Sequence, residues 1–189
     1  MFIEHDQMIG QHYIDQTRAY LDYLEEHFTN IRKAFQAISE ACNGMVWVGD
    51  DRTWHTLRHE VCWHDVSKFS MEEFTQYRAK FFPTGYETQD IASNFDIAWE
   101  HHYSFNEHHA EFINALSDEV ITAKPGLVER YLVHMVVDWT AMGYKFGDTA
   151  QNYYEANRTK TNLLPQHEKF IYTIFERLLH VNTNQQANP

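Results

Sequence analysis

The amino-acid sequence predicts an all-α fold, a single-domain helical bundle, on three observations. Apolar residues recur at spacings of three and four through most of the chain, the period of one face of a helix. The residues that bound those stretches are of the kinds that cap helices. One short apolar run alone, Met45-Val46-Trp47-Val48 between Gly44 and Gly49, reads as a strand, and a lone strand makes no sheet. At 189 residues the chain suits one core. The helical domain is expected over residues 1–180, with the polar, aperiodic residues 181–189 as a flexible C-terminal tail.

The helices follow in order. Leu21, Leu24, Phe28, Ile31, Phe35 and Ile38 line one face of a long first helix that ends near Asn43-Gly44. A second is expected from about Arg52 to His64. Ser70-Met71-Glu72-Glu73 has the pattern of a capping box and should start a third near Met71. Pro83 and Gly85 mark a loop, and helical spacing returns from about Asp90 to Tyr103. Asn106 is suited to cap a short helix through Leu116. Pro125 opens a strongly apolar helix striped by Val128, Tyr131, Leu132, Met135, Trp139 and Met142 that stops near Gly147, and Asp148 and Pro165 open two more.

Composition narrows the functional classes. A net charge of -12 with 15 Lys and Arg gives no basic face for a phosphate backbone, so a duplex nucleic-acid partner is not expected. Small phosphorylated molecules are compatible, because a local cation overrides the global field at short range. No run of 18 apolar residues exists to span a membrane, and residues 1–10 show no signal peptide. Cys42 and Cys62 form neither a metal-binding pair nor a disulfide framework, so a cytoplasmic setting is expected. Asn157-Arg158-Thr159 fits a glycosylation pattern that has no meaning there. The oligomeric state is open, a homo-oligomer included. The 13 histidines outnumber the 7 glycines, and imidazole is the commonest metal ligand.

Helical spacing turns several polar residues inward. His27 lies three after Leu24 and four before Ile31, His64 follows Leu57 and Val61 at the same intervals with Asp65 beside it, and Asp138 lies three after Met135. A buried carboxylate needs a partner. Each residue alone could be an ordinary core or capping group. Together, two imidazoles and two carboxylates suit a divalent metal that keeps open positions. His101 is four after Ile97 and four before Phe105, so it too is placed to face inward, and His102, His108 and His109 stand near it. On an unbroken helix His101 and His108 lie roughly 10 Å apart along the axis, so a shared ion requires a turn near Ser104 to Asn106.

The order His27, His64-Asp65, Asp138 resembles the H...HD...D signature of the HD superfamily of metal-dependent phosphohydrolases, over about Tyr20 to Gly147. The blocks His64-Asp65-Val66-Ser67-Lys68-Phe69, Ala98-Trp99-Glu100-His101-His102-Tyr103 and Asp138-Trp139-Thr140-Ala141-Met142 are similar to those of an uncharacterised family of bacteria and their phages, which brings no substrate with it. The resemblance implies an HD-type bundle in which His27, His64, Asp65 and Asp138 hold one divalent ion (Mn, Fe, Co, Ni, Zn or Mg) whose water attacks phosphorus. His101, His102, His108 and His109 are candidates for a second ion or for phosphate contacts. Lys68, three after Asp65, resembles the lysine of the HD-x-x-K pattern that meets substrate phosphate. The catalytic set so implied is Asp65, Lys68, His101 and His102, acting on a nucleotide or related small phosphorylated molecule.

Competing motifs are absent: no His-Glu-x-x-His, no Glu followed three later by His, no Gly-x-Ser-x-Gly and no P-loop. Two alternatives share the ligands: an HD-type di-iron oxygenase, and a metal-containing binding or inhibitory protein without turnover.

Overall fold

The computed structural model describes residues 2–43 and 53–186, with side-chain surroundings within 8–43 and 54–180. Every regular element among the described residues is helical: α1 (Phe2–Ala41), α2 (Thr53–Cys62), one 3₁₀ turn (Val66–Phe69), α3 (Phe74–Phe81), α4 (Ile91–Phe105), α5 (Ala110–Asn114), α6 (Asp118–Ala123), α7 (Pro125–Phe146), α8 (Ala150–Thr161) and α9 (Pro165–Gln186). The all-α expectation holds for these residues. The strand candidate Met45 to Val48 lies outside them. α9 runs to Gln186, and residues 182–186 contain no Gly or Pro to stop a helix. No described helix is long and apolar enough to cross a membrane.

The chain divides into two compact units, Met1–Glu26 with Asp65–Asn106, and His27–His64 with Glu107–Pro189. α1 contributes to both.

In the first unit Tyr20, Leu24, Tyr77, Ala79 and Ala98 are buried. Tyr20 packs on Phe74 and Phe82, and Tyr77 on Phe95 at 5.1 Å between centroids. Asp90 caps α4, its carboxylate accepting from the amides of Ala92 and Ser93 at 3.1 Å. Two expected caps behave differently. α3 begins at Phe74, three residues after Met71, and Ser70 makes no capping bond. The reason is Glu73: a capping box needs its carboxylate turned back to Ser70, whereas here it is fully buried and taken by two histidines. Asn106 closes α4, donating to the His102 carbonyl at 2.7 Å, instead of opening the next helix. That next helix starts after His109.

The second unit holds the larger apolar core, built from Ile31 and Ile38 of α1, Leu57 of α2, Ile113 of α5, Leu132 and Val136 of α7, Tyr154 of α8, and Ile171 and Ile174 of α9. Each fully buried aliphatic side chain contributes roughly 1.5–3 kcal/mol. α7 starts at Pro125 as the sequence predicts and ends on Gly147, whose φ of 71° favours glycine. A Cβ on Gly143 would meet the Asp148 carbonyl oxygen at 2.5 Å, so this position must stay small. Thr149, not Asp148, caps α8, accepting from the Asn152 amide. α6, capped by Ser117, has too short an apolar stripe to be read from sequence.

α8 and α9 are tied by Glu168, which accepts from the Tyr154 hydroxyl and from Arg158 at 2.6 and 2.9 Å. The Arg158 guanidinium first, then Tyr154, holds the Glu168 carboxyl down to about 2. A depressed carboxylate stabilises the fold above the ordinary glutamate range and loses that contribution as pH falls toward its folded value. Glu168→Gln is expected to cost about 1 kcal/mol at neutral pH, the site being partly solvated, and to make acid unfolding less steep below pH ~4. Equal acid midpoints and slopes for the two proteins would show that the ion pair adds nothing.

Candidate metal centre

Within the second unit, three helices deliver the first set of polar groups. His27 sits one turn before Ile31 on the buried stripe of α1, His64 follows α2, and Asp138 lies on α7. His27 Nε2 and His64 Nε2 are 3.0 Å apart, and Asp138 Oδ1 is 3.5 Å from the first and 3.6 Å from the second. Atoms bound to one ion at about 2.0–2.2 Å subtend angles of roughly 90–120° at such separations, within the tetrahedral-to-octahedral range. Both imidazoles are buried, and Asp138 keeps partial exposure, 18% of its side chain. The cluster could therefore hold a metal ion, with one side reachable from solvent.

The surroundings of His64 suit the tautomer this role needs. Its Nδ1 is 3.1 Å from His134 Nε2, so an Nδ1–H donated to His134 leaves the Nε2 lone pair facing His27 and Asp138. His134, itself buried, turns Nδ1 toward Glu107 Oε1 at 3.6 Å. Burial pushes the Glu107 carboxyl up, but His134 outweighs it and the group stays below the usual range. Burial dominates at neighbouring Glu60 and raises it, although Arg130 bonds both its oxygens at 2.8 and 3.0 Å. His108 is buried, its ring 4.3 Å from that of His64 and 4.7 Å from that of His134, and His109 lies 4.5 Å from His108. His64, His108 and His134 offer ligand atoms within 4.8 Å of one another, as do Glu60, Glu107 and His134.

The first unit carries the other predicted residues. Asp65 has a left-handed φ of 55°, a conformation that Asp tolerates better than most residues and that is a recurrent feature of functional sites. The turn aims its carboxylate back over the 3₁₀ turn, where Oδ2 pairs with Lys68 Nζ and Oδ1 lies 3.2 Å from His102 Nε2. Glu73 accepts from His101 Nδ1 and His102 Nδ1, each at 2.7 Å, so both rings present Nε2 away from it. Burial alone would lower His102, but Asp65 and Glu73 together hold it above the ordinary imidazole value. Burial alone would raise Glu73, yet the two histidines and Ser67 keep it below the ordinary range.

One expectation is corrected. Ile97 and Phe105, the residues that made His101 look inward, are 66% and 67% exposed; the buried face of α4 carries Ala98 and His102, and His101 is half-buried beside it. Lys68, expected near a substrate phosphate, is buried and pairs with Asp65. Sequence reading missed His134, Glu107 and Glu73. His134 was detectable, because it precedes Asp138 by four on α7 and so shares its face. Glu73 was hidden by its resemblance to a capping residue.

Residues 16–178 match the family described as Family of unknown function (DUF5662). No curated protein and no solved structure matches the chain.

Proposed function

The chain belongs to the DUF5662 family, and we propose that it is a metal-dependent phosphohydrolase acting on a nucleotide or a related small phosphorylated molecule. The observation that carries this reading is the triangle of His27, His64 and Asp138, at 3.0, 3.5 and 3.6 Å, on residues whose order resembles the HD signature. Asp65, next after His64 in the chain, is the fourth ligand of that signature. A divalent ion held there would supply Lewis acidity and activate water for attack.

The remaining roles belong to side chains. His134 and Glu107 fix the His64 ring so that its ligating nitrogen does not rotate away. Lys68 is assigned a phosphate oxygen, which it would meet as a point charge on a buried four-carbon stem. Glu73 orients His101 so that Nε2, on the more exposed ring, can give a proton to the leaving oxygen. His102, locked between Asp65 and Glu73, holds the Asp65 carboxylate in place.

Phosphate release from a broad nucleotide panel, with Mn, Co, Ni, Mg and Zn supplied in turn, tests the reading. Metal-dependent release is the expected result, and its absence across the panel with metal bound would favour a binding protein without turnover. The buried trio His64, His108 and His134 favours one second reading, an HD-type di-iron oxygenase, which requires two irons per chain and oxygen uptake.

A further prediction tests the supporting shell. His134→Leu, of similar volume, is expected to weaken metal binding ten- to hundredfold in chelator competition. An unchanged affinity would show that His134 does not orient the ligand.

A further inference from the structure

Two tyrosines of the first unit carry polar atoms that the fold does not use. Tyr20 and Tyr77 are 1% and 5% exposed, and neither hydroxyl has a hydrogen-bond partner among the described residues. An unmet buried hydroxyl costs the fold more than a satisfied one returns, and phenylalanine would fill the same volume without that cost. Departures of this kind collect at binding sites.

Their surroundings say what kind of ligand would meet them. The Tyr77 ring lies 5.5 Å from that of His102 and 5.4 Å beneath Lys68 Nζ, which joins it to the Asp65, Lys68 and His102 cluster. Tyr20 packs on Phe74, the residue after Glu73. Burial first, and then the charges of Asp65 and Glu73, raise both phenols, so they remain protonated donors at any ordinary pH. The two carboxylates are already matched, Asp65 by Lys68 and Glu73 by His101 and His102. What this neighbourhood has left to offer an entering group is two neutral O–H donors beside the Lys68 ion pair, which suits an anion rich in acceptor oxygens.

We propose that Tyr20, Tyr77 and Lys68 form a seat for a phosphate-type oxyanion. The proposal deepens the phosphohydrolase reading by naming the groups that hold the phosphate, and it can stand or fall separately from metal binding.

The test titrates inorganic phosphate into the chain by calorimetry, against chloride at matched ionic strength, for the wild type, Tyr20→Phe, Tyr77→Phe, the double variant and Lys68→Met. Metal content and phosphate-free melting temperature are measured on each sample. Each Tyr→Phe change is expected to weaken phosphate binding about tenfold or more, the loss of one charge-assisted hydrogen bond, and the double variant to lose it. Metal content should stay the same, and phosphate-free melting of the tyrosine variants should match or exceed that of the wild type, since an unmet hydroxyl has been removed. Displacement of phosphate by a nucleoside monophosphate assigns the seat to a substrate phosphoryl group, and lack of displacement assigns it to the free ion. Phosphate binding that the double variant retains at wild-type affinity would overturn the proposal, as would a wild type that binds no phosphate. A seat that behaves as expected in a protein without metal would leave this inference intact and remove the phosphohydrolase reading.

Discussion

Replacing Asp138 by alanine is expected to strip most of the bound metal and to reduce turnover by at least about a thousandfold, since every later step depends on the ion. Asp138 is the single carboxylate of the triangle with His27 and His64, and two imidazoles alone hold a divalent ion weakly. The helix should survive, because Leu132, Val136 and Trp139 on α7 keep their packing, and the carboxylate is the most exposed of the three ligands. Circular dichroism with elemental analysis separates the outcomes. A folded variant with wild-type metal content would show that the triangle is a hydrogen-bonded cluster and no more.

The second large effect belongs to Lys68. Lys68→Ala is expected to lower turnover by two to three orders of magnitude, equivalent to about 2–4 kcal/mol of transition-state stabilisation, with metal content retained. Because the side chain is buried against Asp65, the variant should also melt earlier than the wild type, its aspartate having lost a counter-charge. Normal turnover with a lowered melting temperature would confine Lys68 to a structural role, and the phosphate contact would then be sought among His101, His102, His108 and His109, or left to Tyr20 and Tyr77.

The fold class was legible because its signals are periodic and local. The stripe of α7, Pro125 at its start and Gly147 at its end, and the Asp90 cap all act within a few residues of themselves, and all lie where spacing places them. The departures arise where a side chain has a distant partner. Glu73 is drawn away from Ser70 by His101 and His102, 28 and 29 residues later, so α3 starts late. Asn106 turns back to His102 and Ser67 and closes a helix instead of opening one. Spacing also misplaced His101, since Ile97 and Phe105 form an exposed apolar strip that pattern alone cannot tell from a buried one.

Much the same division holds for the candidate site. His27, His64 and Asp138 stand on strong buried stripes, and their convergence follows from the pattern. The second layer does not: His134 reaches across 70 positions to His64, and Tyr20 and Tyr77 look in the sequence like any aromatic core residues. Only their unmet hydroxyls set them apart.

We propose that His27, His64 and Asp138 hold a catalytic metal, with Asp65 as the further ligand that the HD resemblance implies. Elemental analysis of the chain purified without chelator, alongside the same measurement on Asp65→Ala and Asp138→Ala, tests it most directly. The account predicts at least one equivalent of a divalent metal in the wild type and a sharp loss in both variants, accompanied by loss of phosphate release. A metal-free wild type that does not take up added divalent ions, or full occupancy in both variants, would contradict it.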